Sequence, residues 1–311
     1  MEERVIGTYE GDKKGALLIV LGGIHGNEAA GILALEELFR MLEEEPRKNS
    51  RFAFIGKVMG VRGNLRAIEV KERFISKDLN RQWIPENIKR VLDAKDSGLD
   101  AEDLELRGLV QLIRSEVGRY QPDELIVLDL HTTTADGGIF TIVSEDAKSI
   151  EIGLGLNAPV IRGMLEGIAG TSMHYFNTDN FSCPTTALAF ESGQHDDPMS
   201  VARAVAALVS CLRATGMVRP EDVEHRHDQL LKDYARHLPP LTKLVAVHPI
   251  LPGDDFVMKS GYVNFQLIKK GEILAHDKRG KILAPMSGRI LMPLYQPRGE
   301  DGFFIVQEIK N

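Results

Sequence analysis

Cysteine, long apolar runs and an excess of positive charge are scarce or missing in this sequence of 311 residues. Only two cysteines, Cys183 and Cys211, are present, which excludes a disulfide framework and a cysteine-rich structural zinc site. No apolar run approaches the roughly 18 residues that span a bilayer, and residues 1–15 contain no apolar signal core. We therefore expect a cytoplasmic protein without a membrane segment.

The charge balance narrows the classes of partner. The formal net charge of -7 argues against a nucleic-acid binder, which usually carries a basic face. An anionic small molecule stays compatible, because a few local arginines can override the global sign. Since cysteine is so rare, any metal ion must be held by histidine, aspartate or glutamate.

Apolar runs alternate with helical patterns over residues 1–225, which predicts an α/β domain with a buried, largely parallel sheet. Strands are predicted at 15–23, 52–58, 123–131, 138–143 and 185–191. Helices are predicted at 27–41, 86–119 (with a break near "DSGLD") and 199–216. The charged segment that follows predicts a connecting helix and a linker at 226–240. Short runs between turn residues then predict a small all-β domain at 241–311.

Metal-capable side chains follow two of the predicted strands. His25 and Glu28 lie three apart in "GGIHGNE" (22–28), and His131 ends the run "LIVLDLH". Ligand sites in α/β sheets form outside the carboxyl ends of strands, where these side chains can meet. Two histidines and one glutamate form the ligand set of a catalytic zinc with a position left for water. The alternative is a tight strand-to-helix turn with a solvated glutamate and an unrelated histidine.

Four motifs in order resemble the succinylglutamate desuccinylase/aspartoacylase family, a branch of the zinc carboxypeptidase-like fold. They are "GGIHGNE" (22–28), "RFISKDLNR" (73–81), "DLHTTT" (129–134) and "FESG" (190–193). The resemblance extends over nearly the whole chain. It implies a three-layer α/β/α domain with a mostly parallel mixed sheet, followed by a small all-β domain of the barrel-sandwich or lipoyl-like type.

The resemblance also implies roles for individual residues. One Zn²⁺ per chain would be held by His25, Glu28 and His131. The roles around it are Glu191 activating the metal-bound water, Arg73 stabilising the oxyanion, Asn80 and Arg81 holding the substrate carboxylate, and Tyr295 contacting the substrate. Four of these residues have a plainer alternative: surface arginines at 73 and 81, a helix cap at Asn80, and an ion pair at Glu191.

The chain departs from the aspartoacylases at one specificity position. These relatives carry an arginine ten residues before the catalytic glutamate, and Phe181 stands there in this sequence. We therefore do not expect N-acetylaspartate as the substrate, and we predict a hydrophobic or neutral pocket near Phe181. The sequence leaves the acyl group and the amino-acid side chain open.

Several other residues stay undecided. His195 either lines the pocket or lies outside it, and the roles of His174 and Cys183 are open. Trp83 either contacts the substrate or belongs to the core, and Asp129 is expected to be structural. The segment "EHRHD" (224–228) favours a solvated face over a metal site.

The sequence thus predicts a metal-dependent amidohydrolase that cleaves the amide bond of an N-acylated amino acid or a similar small carboxylate-bearing amide. One alternative is a zinc carboxypeptidase acting on short peptides. Another is a binding protein that keeps the zinc without catalysis. A carrier function, suggested by "APMSG" (284–288), lacks an attachment lysine after Gly288. A homo-oligomer is compatible with the sequence, and the same ligands would accept cobalt or manganese.

Overall fold

The structure is a computed structural model that describes residues 3–222 and 225–309. The strands are β1 (Val5–Glu10), β2 (Lys13–Gly22), β3 (Ile55–Arg62), β4 (Leu125–Thr133), β5 (Phe140–Val143), β6 (Val160–Arg162), β7 (Thr185–Gln194), β8 (Leu241–Pro249), β9 (Val257–Met258), β10 (Leu267–Ile268), β11 (Ile273–Asp277), β12 (Gly280–Leu283), β13 (Gly288–Leu291) and β14 (Asp301–Glu308). The helices are α1 (Ala30–Lys48), α2 (Leu65–Val70), α3 (Pro85–Asp93), α4 (Ala101–Tyr120), α5 (Ala147–Gly155), α6 (Met164–Gly167), α7 (Ser172–Tyr175), α8 (Ser200–Ala214) and α9 (His225–Ala235).

A mixed sheet organises the fold. Its order in the described part of the chain is β1-β3-β2-β4-β7-β5-β6-β8-β14-β13-β10. The central strands β3, β2, β4 and β7 run parallel, whereas β5 runs antiparallel to β7. The predicted mostly parallel sheet is confirmed. The carboxyl ends of β2, β4 and β7 consequently meet at one edge.

Helical layers cover both faces of this sheet. Alternate residues of β2 enter different cores: Leu17 and Ile19 belong to the core that includes α4, and Leu18 and Val20 belong to the core that includes α1 and α8. A strand buried on both faces has to be apolar throughout, which explains the unbroken run in β2. The predicted three-layer α/β/α architecture is confirmed.

The C-terminal strands continue the same sheet. β8 pairs in parallel with β6, and β14, β13 and β10 follow in antiparallel order. A second sheet, β12-β11-β9, lies beside them over a separate apolar core. The predicted antiparallel C-terminal strands are present, and the domain limits 1–225 and 241–311 stay a prediction.

Two segments differ in detail from the expectation. The second strand was predicted at 52–58 but runs from Ile55 to Arg62, because it continues through Gly60. A Cβ at Gly60 would lie 2.7 Å from the ring of Phe39, so this glycine permits close packing and does not end the strand. Helix α9 occupies most of the predicted linker, and its Leu231 is fully buried in the core beside α8. Within the described ranges, no helix combines the length and the apolar character required to cross a bilayer.

Candidate metal and catalytic site

The loop after β2 depends on glycine. Gly23 has a φ of 74°, a conformation that side chains disfavour. A Cβ at Gly26 would lie 2.1 Å from the carbonyl carbon of Ala67, so no larger residue fits there. The loop turns back on itself, and the Glu28 amide donates to the His25 carbonyl at 3.1 Å. Both side chains point inward and are buried.

Three candidate ligands converge at this edge of the sheet. His25 Nδ1 lies 2.7 Å from Glu28 Oε1, and His131 Nδ1 lies 2.9 Å from Glu28 Oε2. One ligand atom from each residue falls within 4.8 Å of the others. Ligands of a tetrahedral zinc are roughly 3.3 Å apart when each bond is about 2.0 Å. The spacing and the chemistry of these donors therefore fit a single ion with a fourth position free.

A carboxylate holds the far nitrogen of each histidine. His25 Nε2 lies 3.1 Å from Asp78 Oδ1, and His131 Nε2 lies 3.2 Å from Asp129 Oδ2. Such partners fix the ring orientation and direct Nδ1 toward an ion. Asp129, expected to be structural, thus supports His131. Asp129 Oδ2 in turn accepts a hydrogen bond from Ser172 Oγ at 2.6 Å. Asp78 was missed by the sequence reasoning, although it lies inside the motif "RFISKDLNR".

The electrostatics of the cluster favour charged ligands. Burial opposes the charge of Glu28, but His25 and His131 hold the pKa of this carboxyl well below its usual range. Burial also opposes the charge of Asp78, whose pKa is held well below its usual range by His25 and Arg73. Glu28 and Asp78 therefore stay ionised although they are buried.

Glu191 lies beside the cluster by strand pairing. Its strand β7 pairs with β4 so that Glu191 stands opposite His131. The side chain is buried, and Oε2 has no hydrogen-bond partner. Burial raises the pKa of Glu191 to about 8, and the charges of Glu28 and Asp129 add to the rise, whereas His131 and Arg73 oppose it. A buried carboxyl without a partner calls for a ligand or a functional explanation.

Arg73 reaches the cluster from the loop before α3. Its Nε and Nη2 donate to Asp78 Oδ2 at 3.2 and 2.9 Å, and Nη1 lies 3.7 Å from Glu28 Oε1. The same loop is held from behind by Glu102, which is fully buried. Glu102 accepts hydrogen bonds from the amides of Ile75, at 2.7 Å, and Ser76, at 2.9 Å. Arg73 is thus positioned by Asp78 on one side and by the buried Glu102, which anchors the backbone of its loop, on the other.

Asn80 and Arg81 line the same cavity farther from the cluster. Asn80 Oδ1 accepts from the Ser172 amide at 2.9 Å, and Nδ2 lies 3.4 Å from His131 Nε2. Arg81 Nη2 donates to Asp301 Oδ2 at 2.5 Å. The helix-cap alternative for Asn80 is wrong, because Ile84 precedes α3. Their assignment to the substrate carboxylate stays a prediction.

The cavity that joins these residues has a volume of about 120 Å³, and apolar side chains form part of its lining. The apolar side chains are Ile142, Met164, Leu165, Ile168, Met173, Ala189, Met292, Leu294 and Phe304. Phe181 is not among the lining residues and stacks on Phe176 with ring centroids 5.8 Å apart. The apolar surface that was predicted near Phe181 is therefore built from other residues.

Tyr295 also lies outside this cavity. It lines a neighbouring groove, and its hydroxyl accepts from the Tyr262 amide at 2.8 Å and contacts the Lys259 carbonyl at 3.1 Å. These bonds tie the hydroxyl to a C-terminal turn. The geometry gives no support to the predicted substrate contact of Tyr295.

The undecided histidines have separate roles. His195 lines the cavity, with Nδ1 2.6 Å from Thr132 Oγ1 and a buried Nε2 that has no partner. Burial lowers the pKa of His195 and favours the neutral ring. His174 bonds Thr171 and the Leu165 carbonyl through its two nitrogens, which is a structural role.

The remaining candidates are structural or fall partly outside the described residues. Trp83 is buried against Tyr175 and Phe176, and Cys183 is a buried core residue. In "EHRHD", Glu224 lies outside the described residues. Asp228 Oδ2 accepts a hydrogen bond from Arg213 Nη1 at 2.6 Å. Among the described residues, the cluster of His25, Glu28 and His131 is the one group with metal-site spacing.

Sequences similar to this chain include proteins named as an acylase and an amidohydrolase. The protein described as "probable aspartoacylase" from Nostoc sp. is 30% identical over 125 residues, which are 40% of this chain and 37% of that protein. The N-acyl-aromatic-L-amino acid amidohydrolase (carboxylate-forming) of Xenopus tropicalis is 30% identical over 121 residues, which are 39% of this chain and 35% of that protein. The matches thus span little more than a third of the relatives' own length.

Solved structures share the fold over almost the whole chain. The succinylglutamate desuccinylase/aspartoacylase from Rhodobacter sphaeroides superposes with a TM-score of 0.67 at 16% identity, covering 98% of this chain and 88% of that one. The ectoine utilization protein EutE (DoeB) from Ruegeria pomeroyi superposes with a TM-score of 0.64 at 17% identity, covering 97% of this chain and 87% of that one. Residues 14–179, which include the three candidate ligands, match the family model for the succinylglutamate desuccinylase/aspartoacylase catalytic domain. The chain therefore belongs to the succinylglutamate desuccinylase/aspartoacylase family.

Proposed function

We propose that this protein is a zinc-dependent deacylase that hydrolyses the amide bond of an N-acylated amino acid. The observation that carries the proposal is the buried Glu191 carboxyl, whose Oε2 has no partner beside the convergent donors of His25, Glu28 and His131. A carboxyl in this position suits a proton-transfer role next to a metal site. The printed names of the relatives, aspartoacylase and N-acyl-amino acid amidohydrolase, support the same reaction class.

The three ligands would hold one Zn²⁺, which lowers the pKa of a bound water to about 7 and polarises a carbonyl. In its ionised form, Glu191 takes a proton from the attacking water through Oε2 and delivers it to the leaving nitrogen; because the pKa of Glu191 is raised to about 8, this form gains as the pH rises. The water oxygen forms a bond to the carbonyl carbon, and the carbon–nitrogen bond then breaks. The products are a carboxylic acid and a free amine. Arg73 donates to the carbonyl oxygen as negative charge develops there. Asn80 and Arg81 orient the rest of the substrate.

The test is amine release from a panel of N-acyl amino acids and short peptides, before and after chelation and after zinc is restored. We expect release from N-acyl amino acids that chelation abolishes and zinc restores. In Glu191→Gln the zinc content should stay at one per chain, while kcat falls by about 10² to 10⁴ because the proton acceptor is lost.

Other results would point to the alternatives. Release of C-terminal residues from peptides in preference to N-acyl amino acids would identify a carboxypeptidase. Full zinc occupancy without release from any compound would leave a binding protein. A Glu191→Gln enzyme with undiminished kcat would overturn the assigned base.

A further inference from the structure

One ring nitrogen in the cavity has no partner in the protein. Among the described residues that line the cavity, three side-chain atoms are buried without a hydrogen-bond partner: Asp129 Oδ1, Glu191 Oε2 and His195 Nε2. The first two are carboxyl oxygens of residues that the site already uses. His195 Nε2 is the nitrogen among them, and a buried polar atom without a partner calls for a ligand or a functional explanation.

The other ring nitrogen decides where the proton of His195 lies. His195 Nδ1 lies 2.6 Å from Thr132 Oγ1, and within the described residues this hydroxyl has no other hydrogen-bond partner. The hydroxyl hydrogen is therefore satisfied when it is donated to Nδ1. A neutral imidazole that accepts at one nitrogen carries its proton on the other. Because burial lowers the pKa of His195 and favours the neutral ring, Nε2 is a buried N–H donor.

A bulge at the end of β7 delivers this ring to the cavity. Beyond the pair of His131 with Glu191, β4 advances by two residues and β7 by three before the strands pair again. The extra residue lies beside Gly193, whose φ of 111° is disfavoured for side chains. A bulge re-aims the chain that follows it and is common next to functional sites. His195 follows directly, and its amide donates to the Thr133 carbonyl at 3.0 Å.

A buried arginine holds the turn that carries His195. Arg203 Nη1 donates to the Ser192 carbonyl at 3.3 Å, before the turn, and Nη2 donates to Asp197 Oδ2 at 2.6 Å, after it. A Cβ at Gly193 would lie 2.4 Å from Arg203 Nη1, so a larger residue would displace this arginine. The position of the ring is thus set by bonds on both sides of it along the chain.

The ring lies near the proposed ligands and Arg73 without being a ligand itself. Besides burial, the charges that act most strongly on the pKa of His195 are those of Glu28, which opposes the lowering, and of Arg73 and His25, which add to it. The group with metal-site spacing does not include His195. The N–H donor therefore stands beside the metal site, on the side of the cavity where the proposed mechanism puts the carbonyl oxygen.

We infer that His195 Nε2 donates a hydrogen bond to the carbonyl oxygen of the scissile amide, as a second donor beside Arg73. The inference rests on the proposed deacylase function and adds a catalytic residue to it. As water adds to the carbonyl carbon, the carbonyl oxygen gains the negative charge that Nε2–H then stabilises. The proton stays on Nε2, and Thr132 keeps the ring in the donating tautomer. A donor that gains strength only at this step favours the transition state over the bound substrate.

Two substitutions at one position separate the two ring nitrogens. The short amide of His195→Asn replaces Nδ1 and leaves the place of Nε2 empty, whereas the longer amide of His195→Gln can bring an N–H there. With zinc-loaded enzyme and the best N-acyl amino acid, we expect His195→Asn to lower kcat by about 10²- to 10³-fold and to leave KM within about threefold. His195→Gln should lower kcat by only about tenfold.

Thr132→Val tests whether the hydroxyl acts through the ring. It should lower kcat by about three- to tenfold in the wild-type background and cause no further loss in His195→Asn, since residues that act as one unit are not additive. His248→Asn is the matched control, because His248 is also partly buried with a pKa lowered by burial, but it does not line the cavity. It should keep its kcat. A loss of zinc in His195→Asn, or a raised KM at unchanged kcat, would overturn the inference.

Binding of a transition-state mimic separates this inference from the proposed hydrolysis. The probe is the phosphinic analogue of the N-acyl amino acid that binds zinc-loaded Glu191→Gln most tightly. It carries tetrahedral phosphorus in place of the carbonyl carbon and a methylene in place of the amide nitrogen, so it is not hydrolysed. Calorimetry should show that His195→Asn binds the probe about 100-fold more weakly than wild type.

The two possible results are independent of turnover. Weaker binding of the probe by His195→Asn supports the donor role even if wild type releases no amine. Equal affinity of wild type and His195→Asn for the probe overturns the inference even if wild type hydrolyses N-acyl amino acids.

Discussion

The inner end of the cavity and its mouth are built in different ways. The inner end takes His25, Glu28, His131 and Glu191 from the carboxyl ends of neighbouring parallel strands. The mouth pairs Arg81 with Asp301, a residue 220 positions later in the chain. At the inner end the four side chains are buried and Glu191 Oε2 has no partner, whereas Glu300 at the mouth is largely exposed. The comparison teaches that the inner end follows from the order of the parallel strands, whereas the mouth depends on contacts between distant parts of the chain.

Removal of a candidate ligand should have the largest effect. We expect His131→Ala to lose stoichiometric zinc and to fall to the activity of the chelated protein, because only two donors remain. Metal analysis after dialysis measures the loss. His174→Ala is the matched control, since both nitrogens of His174 serve structural bonds, and it should keep its zinc. Full zinc and activity in His131→Ala would contradict the ligand assignment.

The carboxylates behind the histidines should come next. Asp78→Asn should weaken zinc binding by about 10- to 100-fold, since Asp78 orients His25 and holds Arg73. Competition with a chelator of known affinity measures the change. Asp301→Asn should leave zinc affinity unchanged, because the mouth does not touch the ligands. Equal losses of zinc affinity in the two variants would contradict the proposed difference between the inner end and the mouth.

A buried anchor should give a smaller effect that still reaches the chemistry. Glu102→Gln should lower the free energy of unfolding by about 1 to 3 kcal/mol, since a carboxylate that accepts backbone amides is replaced by a group with its own donors. It should also reduce kcat, because the loop carries Arg73. Chemical denaturation and steady-state kinetics measure the two effects.

Glu105→Gln is the control for this anchor. Glu105 is also buried in α4, but it accepts from Arg4 and the Arg66 amide instead of the Arg73 loop. It should lose stability with kcat unchanged. A Glu102→Gln variant with the same profile would show that the anchor has no influence on Arg73.

The smallest effect is expected at Tyr295. Tyr295→Phe removes hydroxyl bonds to the turn at 259–262 and should cost about 0.5 to 1.5 kcal/mol of stability. The value of kcat/KM should stay within about twofold, because Tyr295 does not line the cavity. A tenfold rise in KM at unchanged stability would instead favour the substrate contact expected from the sequence.

The sequence was sufficient for features that obey local rules. The run "ALLIVL" predicts β2, the glycines predict the turn after it, and strand ends predict that His25 and His131 meet. The break at "DSGLD" matches a 3-10 turn between α3 and α4. The first predictions succeed because strand period and glycine conformation act over a few residues, and the last succeeds because the carboxyl ends of neighbouring parallel strands share one edge of the sheet.

Other features depend on distant parts of the chain. Nothing in the sequence near Asp78 indicates a role in the metal site. The fold creates that role by bringing Asp78 to His25 Nε2. The partnership of Arg81 with Asp301 needs the C-terminal strand, which lies 220 positions away in the chain. The prediction of a pocket near Phe181 failed for a similar reason. A position in the sequence does not reveal which way its side chain turns, and Phe181 stacks on Phe176 outside the cavity lining.

The pairing of β4 with β7 also bears on how the protein matures. His131 and Glu191 are neighbours because the two strands are in register, about 4.8 Å apart. A slip of one residue would turn Glu191 to the opposite face of the sheet. Strands so distant in sequence pair slowly during folding. Metal uptake during refolding would then report the pairing of β2 with β4, which brings the ligands together. The recovery of turnover would report the later pairing of β4 with β7, which brings Glu191 to them.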